Sequence, residues 1–268
     1  MSPFRYSAGG CSDAVSTAMS LQAKIERAKV LLAQIESEYA PAAFASSFGA
    51  EDMVLTDLIA RHFRGIELFT LDTGRLPPET YELMQKTTEH YRRRIKVYFP
   101  ESSAVENYVR LNGINGFYDS VAQRKDCCHV RKVEPLKRAL AGKRAWITGL
   151  RRDQAPTREN LGESEFDADH GLQKFNPLID WTQLEVWAYI SANQVPFNVL
   201  HDRGYPSIGC APCTRAIAPG EDVRAGRWWW EIADLKECGL HPAKAAPAVA
   251  TQTTSKSEVE AEPVERIF

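Results

Sequence analysis

Apolar residues recur along this chain with two alternating periods. Leu21, Ile25, Ala28, Leu32, Ile35 and Tyr39 stand three and four apart, the stripe of an amphipathic helix. Pro41 stops it, and the apolar run AAFASS (42–47) reads as a short buried strand. EDMVLTDLIARHF returns to helical spacing, and IELFTL (66–71) is a second strand. LPPETYELMQKTTEHYRR opens on two prolines near a helix start, where a missing N–H is tolerated. IKVYFP (95–100) gives a third strand, AVENYVRL and RKVEPLKRALAG two further helices, and AWITGL (145–150) a fourth strand. Strands alternating with helices imply a parallel sheet covered on both faces. The expected fold class is therefore α/β, a doubly wound and mostly parallel sheet.

Beyond Arg152 the periodicity weakens. RRDQAPTRENLGESEFDADHG is charged with few apolar anchors and is expected to be a mobile loop. LQKFNPLIDW is strand-like, and TQLEVWAYISAN carries a threonine N-cap before a helical stripe. Residues 1–19 and 242–268 are expected to be disordered ends around one domain, 20–241. The final stretch is rich in Ala, Thr, Pro and Glu, a composition that rarely builds a core.

Bulk properties narrow the function. Hydrophobic content of 44% and charged content of 25% are those of an ordinary globular protein. A net charge of −2 gives no general attraction to nucleic acid or membrane, so an anion site must come from a local cluster of Arg and Lys. No stretch approaches the roughly 20 apolar residues of a membrane span. The first residues lack the basic start and apolar core of a secretory signal, so a cytoplasmic location with reduced thiols is expected.

Two close-set cysteine pairs, Cys127-Cys128 in KDCCHVRK and Cys210-Cys213 in GCAPCTR, are far apart in sequence. Four thiolates converging from such pairs suit tetrahedral zinc or an iron–sulfur cluster. Adjacent residues diverge by about 100° on a helix and point to opposite faces of a strand. An adjacent pair therefore reaches one small ion only with unusual local geometry, whereas a cubane offers separated corners. Zinc, disulfides and unrelated buried thiols stay open at this point. Cys238 stands apart between Lys236 and His241, cations that favour a thiolate. Cys11 has no partner motif.

SSFGAED (46–52) joins the first strand to its helix, and LDTGRL (71–76) follows the second. In open α/β sheets ligands bind beyond the carboxyl ends of strands, and a helix N-terminus there offers free N–H groups to an anion. SSFGAED matches neither a Walker A loop nor a Rossmann fingerprint, having one glycine and no lysine. Basic residues gather at Arg131-Lys132, at Arg151-Arg152-Arg158 and at Arg224-Arg227. Charge clusters are usually solvated faces, but two of these follow ligand-binding ends of strands, which favours a phosphate or sulfate pocket. The run Trp228-Trp229-Trp230 reads as packing surface.

In order, SSFGAED, LDTGRLPPETY, CC with RKVEPLKRAL, GLRRDQAPTR, KFNPL, GCAPCTR, GRWWWE and KECGLH resemble the assimilatory adenylyl-sulfate (APS) reductases, within the wider phosphoadenylyl-sulfate (PAPS) reductase family. The resemblance runs from about residue 42 to 241. It implies an adenine-nucleotide α-hydrolase-like fold in which Ser46, Ser47, Phe48 and Gly49 form a modified pyrophosphatase loop. It implies an adenosine pocket at Leu71, Asp72, Thr73 and Gly74, and a 4Fe-4S cluster on Cys127, Cys128, Cys210 and Cys213. Lys132, Arg158, Arg224 and Arg227 would hold the phosphosulfate, with Arg151, Arg152 and His241 also assigned to substrate. Cys238 would be the nucleophile, and reduced thioredoxin the electron donor. A homo-oligomer is expected. PAPS reduction, or use of both substrates, is the near alternative, although the PAPS branch lacks the cysteine quartet. A cysteine-liganded regulatory protein without turnover is the distant one.

Overall fold

The computed structural model describes residues 11–154 and 158–232, with backbone alone for 11–20. Its elements are α1 (Cys11–Glu38), β1 (Ala42–Ala45), α2 (Ala50–His62), β2 (Glu67–Leu71), α3 (Pro78–Tyr91), β3 (Lys96–Tyr98), α4 (Ser102–Asn112), α5 (Val121–Cys128), α6 (Glu134–Leu140), β4 (Ala145–Ile147), β5 (Ser164–Asp167), β6 (Leu172–Phe175) and α7 (Gln183–Asn193). The strands form one sheet in the order β3-β2-β1-β4-β6-β5, parallel except for β5 against β6. Alternate residues of each strand serve opposite faces, as the pleat requires. Phe44, Leu68, Ala145 and Ile147 join Leu32 and Ile35 of α1, Met53 and Leu58 of α2, and Val186 and Ile190 of α7. Ala43, Phe69, Trp146 and Leu172 join Leu136, Ala139 and Leu140 of α6 on the other face. The sheet is doubly wound, as the alternation of periods predicts.

Helix ends follow local chemistry. Thr182 caps α7 in a reciprocal box, its hydroxyl accepting from the Glu185 amide at 3.2 Å while the Glu185 carboxylate accepts from the Thr182 amide at 2.7 Å. Buried Asp57 of α2 accepts the hydroxyls of Tyr91 and Tyr189, each at 2.7 Å, and so ties α3 and α7 to α2. α1 begins at Cys11, ahead of the Leu21 start expected from the apolar stripe. The stretch from Cys11 to Glu38 contains neither Gly nor Pro, so nothing in it interrupts the helical ladder.

One expectation is corrected. The segment expected to be a mobile loop contains β5, with Ser164 opposite Phe175 and Asp167 opposite Leu172. Phe166 is 67% exposed, so this edge strand has no apolar run to announce it. Cys238, His241 and residues 155–157 lie outside the described residues. Among the described residues, no helix is long and apolar enough to cross a membrane.

Candidate active site

Strand β1 lies between β2 and β4, so connections leave it in opposite directions and open a crevice at the strands' carboxyl ends. A cavity of about 260 Å³ occupies that place. Its sheet-side wall is made by Ser46, Ser47, Gly49, Glu51 and Asp52 after β1, Leu71 at the end of β2 and Thr73 after it, and Thr148, Gly149 and Arg151 after β4. The amide and the hydroxyl of Ser47 both donate to Asp52 Oδ2 at 2.6 Å, and the Gly149 amide also bonds this carboxylate. A Cβ on Gly149 would run into Asp52 Oδ1, so glycine lets the two loops meet. Burial pushes the Asp52 carboxyl up to about 6, with the Ser47 hydrogen bonds offsetting part of the cost. Glu51, in the first turn of α2, accepts Arg151 Nε at 2.9 Å and Nη2 at 2.8 Å. The N-terminus of α2 thus already carries two acids.

The facing wall is cationic. Lys132, Arg158, Arg224 and Arg227 come from three separate stretches and line the same cavity. Lys132 belongs to a π-helical turn, His129–Val133, between α5 and α6. Such wide turns break helical register and redirect side chains. Arg227 donates to the Ser207 hydroxyl and the Ile208 carbonyl, each at 3.3 Å, and its guanidinium packs over Gly209.

Other expected substrate residues lie elsewhere. Arg152 pairs with Asp180 and donates to the Leu161 carbonyl at 2.9 Å, and is not among the lining residues. Asp72 accepts the Gly74 amide at 2.8 Å and the Tyr81 hydroxyl at 2.9 Å, as the anchor of a turn. Gly74 supplies that turn's left-handed backbone, φ +70°. Phe48 is 1% exposed, and its φ of +62° turns the loop while the ring enters the core. Glu51, Asp52, Gly149 and Ser207 line the cavity without having been assigned to substrate from the sequence, and so does Trp228, which was read there as packing surface. Only Glu51, Asp52 and Gly149 had a signal, standing directly after strands.

Behind the cationic wall, Cys127, Cys128, Cys210 and Cys213 line one small cavity of about 20 Å³, all four buried. Arg75, Arg124, Arg131 and Lys132 line it too. The adjacent pair closes α5, and the π turn begins immediately after it. The second pair brackets a 3₁₀ turn, Ala211–Cys213, whose Ala211 amide donates to the Arg75 carbonyl at 2.8 Å. Thr73 Oγ1 lies 3.3 Å from Cys210 Sγ, and Arg131 donates to the Thr73 carbonyl at 2.7 Å. Burial pushes the Cys127 thiol up against the pull of Arg131; burial and the neighbouring Cys210 push Cys213 up to about 12. Among the described residues, no three Cys, His, Asp or Glu groups stand as ligands of a single ion. Four soft donors around one cavity, ringed by four cations, fit a larger anionic body with several attachment points. Lys132 lines both cavities and separates them.

A switch-point crevice lined by acids and cations sets this chain among the doubly wound α/β proteins, whose ligands bind at that place. The phosphoadenosine phosphosulfate reductase domain matches residues 41–216, and the chain belongs to that family. A protein named adenosine 5′-phosphosulfate reductase from Allochromatium vinosum is 58% identical over 217 residues, covering 81% of this chain and 85% of that protein. One of the same name from Burkholderia cepacia is 54% identical over 241 residues, 89% and 96% of the two chains. The crystal structure of phosphoadenylyl-sulfate reductase from Candida auris in its phosphate complex superposes with a TM-score of 0.61 at 30% identity, covering 70% of this chain and 90% of that one.

Proposed function

We propose that this chain is an adenylyl-sulfate reductase: it reduces adenosine 5′-phosphosulfate to sulfite and AMP in sulfate assimilation, with reduced thioredoxin as electron donor. The observation that carries the reading is the convergence of Lys132, Arg158, Arg224 and Arg227 on one crevice that backs onto the four-cysteine cavity. Cations from three distant stretches meet there, as an anionic phosphosulfate requires. The names of relatives more than half identical point the same way.

In this mechanism the Cys238 thiolate attacks the sulfur of the sulfuryl group. The sulfur–oxygen bond to the phosphate breaks, and AMP leaves with its new negative charge held by the arginines. The enzyme then carries an S-sulfocysteine. A thioredoxin thiolate attacks Cys238 Sγ and releases sulfite, and thioredoxin's second thiol frees Cys238, so two electrons come from the dithiol. Cys127, Cys128, Cys210 and Cys213 would hold a 4Fe-4S cluster, which supplies fixed charge beside Lys132. Lys132 and the three arginines orient and neutralise the phosphosulfate. Leu71 and Thr73 line the same crevice and would line the adenosine. The cytoplasm is the proposed compartment, where the thiols stay reduced.

The test is mass spectrometry. Wild type mixed with adenosine 5′-phosphosulfate and no thioredoxin should gain one SO₃ on the peptide containing Cys238, and thioredoxin should remove it. Cys238→Ser should show neither event, while keeping the brown colour the proposed cluster would give and its nucleotide binding. An adduct on another cysteine, or full activity in Cys238→Ser, rules the mechanism out. Running both 5′-phosphosulfate substrates, with and without a 3′-phosphate, separates the two reductase activities.

A further inference from the structure

His201 lines the crevice from the 3₁₀ turn Val199–Arg203. Its position is fixed from several sides. Asn198, which caps the turn, is 1% exposed, and its side chain accepts the Leu200 amide at 3.0 Å. The same side chain donates to Thr80 Oγ1 at 3.1 Å, and Thr80 also lines the crevice, so the turn is tied to that wall. The imidazole meets Trp187 edge-on, with ring centres 5.1 Å apart. Its Nδ1 stands 2.9 Å from the Tyr205 carbonyl oxygen.

A carbonyl oxygen only accepts, so Nδ1 carries the proton in that bond. Burial pulls the imidazole down from its ordinary value of 6.5, against the pull of Glu51. The ring is therefore neutral at pH ~7, and Nε2 offers a lone pair. That atom is buried and has no hydrogen-bond partner among the described residues. A buried polar atom without a partner is costly, and bulk solvent does not reach this one.

The chemistry of the crevice narrows what can satisfy it. Lys132, Arg158, Arg224 and Arg227 bring only donors, suited to an anion. Glu51 and Asp52, acceptors in the same crevice, already hold Arg151 and Ser47. An ionised phosphosulfate has no proton to give at neutral pH, so a lone pair aimed at it would repel. The donors of an adenosine nucleotide are the 6-amino group and the two ribose hydroxyls.

We propose that His201 is a specificity-determining residue of the crevice, its Nε2 accepting a hydrogen bond from an N–H or O–H of the bound nucleoside. The cations hold the charged half of the ligand, and His201 reads the uncharged half. The inference rests on the reading of the crevice as an adenine-nucleotide site.

The test is a thermodynamic cycle by titration calorimetry on the full chain with its cluster. The probes are AMP and three analogues that each lack one donor: 2′-deoxy-AMP, 3′-deoxy-AMP and purine riboside 5′-monophosphate. His201→Asn keeps a donor for the Tyr205 carbonyl and removes the acceptor. His201→Gln can return an amide oxygen near the place of Nε2. Wild type should bind one analogue about tenfold more weakly than AMP. His201→Asn should bind AMP about tenfold more weakly than wild type does, and should no longer distinguish AMP from that analogue. The analogue concerned identifies the donor. His201→Gln should keep part of the preference, and it carries the same cycle should His201→Asn fail to fold. Wild type that discriminates against none of the three overturns the proposal. So does unchanged AMP binding in His201→Asn, or weaker binding with every wild-type preference intact, since His201 would then only brace the wall. If wild type binds no AMP at all, the nucleotide-site reading itself fails and this inference falls with it.

Discussion

The two walls of the crevice are built on different principles. The sheet-side wall is the end of β1, β2 and β4, fixed by strand pairing and by a core of Phe44, Met53, Leu58, Ile147 and their neighbours. The cationic wall comes from a π turn, the loop after β4 that carries Arg158, and the loop before Trp228, with the 3₁₀ turn of the second cysteine pair behind it. Its own apolar cluster is Tyr108, Phe117 and Trp228 with Cys127, Cys210 and Cys213. What holds it is a set of directed contacts: Arg131 to the Thr73 carbonyl, Tyr118 to the Pro212 carbonyl at 2.7 Å, and Arg124 to Glu231. A wall with so little hydrophobic support depends on its cysteines for its shape. The two walls should therefore fail separately.

The largest effect should come from Cys213→Ser. The cationic wall loses a residue assigned to the proposed cluster and part of its small core together, while β1, β2 and β4 keep every partner. We expect loss of the brown colour and AMP binding weaker by about a hundredfold, or about 3 kcal/mol. Helix and strand signals in far-ultraviolet circular dichroism should stay close to wild type. Intact AMP binding in the colourless variant would mean that the cationic wall stands without its thiol centre, and the contrast between the walls would collapse.

A medium effect probes the sheet-side wall through Asp52. Its carboxyl keeps its proton up to about 6 in the folded chain, against 3.8 as the ordinary value, because burial disfavours the charge. Between those two values the folded state binds more protons than the unfolded state, so this group adds stability as pH falls. A shift of about two units is worth about 3 kcal/mol. Relative to Asp52→Asn, which does not titrate, wild type should gain about that much between pH ~7 and pH ~4. Urea unfolding of both proteins across this range reads the gap, and shared contributions from other groups cancel. A constant gap would show that the wall is wetter than its hydrogen bonds suggest.

The walls also differ in how far the sequence revealed them. β1, β2 and β4 are apolar runs between turn residues, so the sheet, its winding and the loops after its strands could be read directly. β5 could not, because an edge strand that exposes Phe166 has neither an apolar run nor a buried face. The cysteine pairs announced a shared centre by type and spacing, and the chain brings all four to one cavity. Its supports were hidden. The ion pair of Arg124 with Glu231 spans 107 positions, and no local pattern marks it. Nor does helical periodicity foretell a π turn at His129–Val133, since the register breaks only once. Among Arg151, Arg152 and Arg158, charge alone could not say which faces an anion, because neighbouring side chains decide it.

Among those three arginines, Arg152 supplies the smallest expected effect. Arg151 is committed to Glu51 and to the Trp181 carbonyl at 3.1 Å, so it braces the sheet-side wall. Arg158 is 9% exposed and lines the crevice, whereas Arg152 sits in an ion pair with Asp180 in which both side chains are about 40% exposed. An exposed pair contributes under about 1 kcal/mol, because water and salt screen it. Arg152→Ala should therefore leave the Michaelis constant for adenosine 5′-phosphosulfate unchanged and lower stability by less than that amount. Arg158→Ala strips a buried cation from a bound anion, a loss of about 2–5 kcal/mol, and should raise the Michaelis constant steeply. Steady-state kinetics of the two variants side by side make the comparison. If Arg152→Ala proved the more damaging, the loop after β4 would turn its other side to the substrate, and the cationic wall would have to be redrawn.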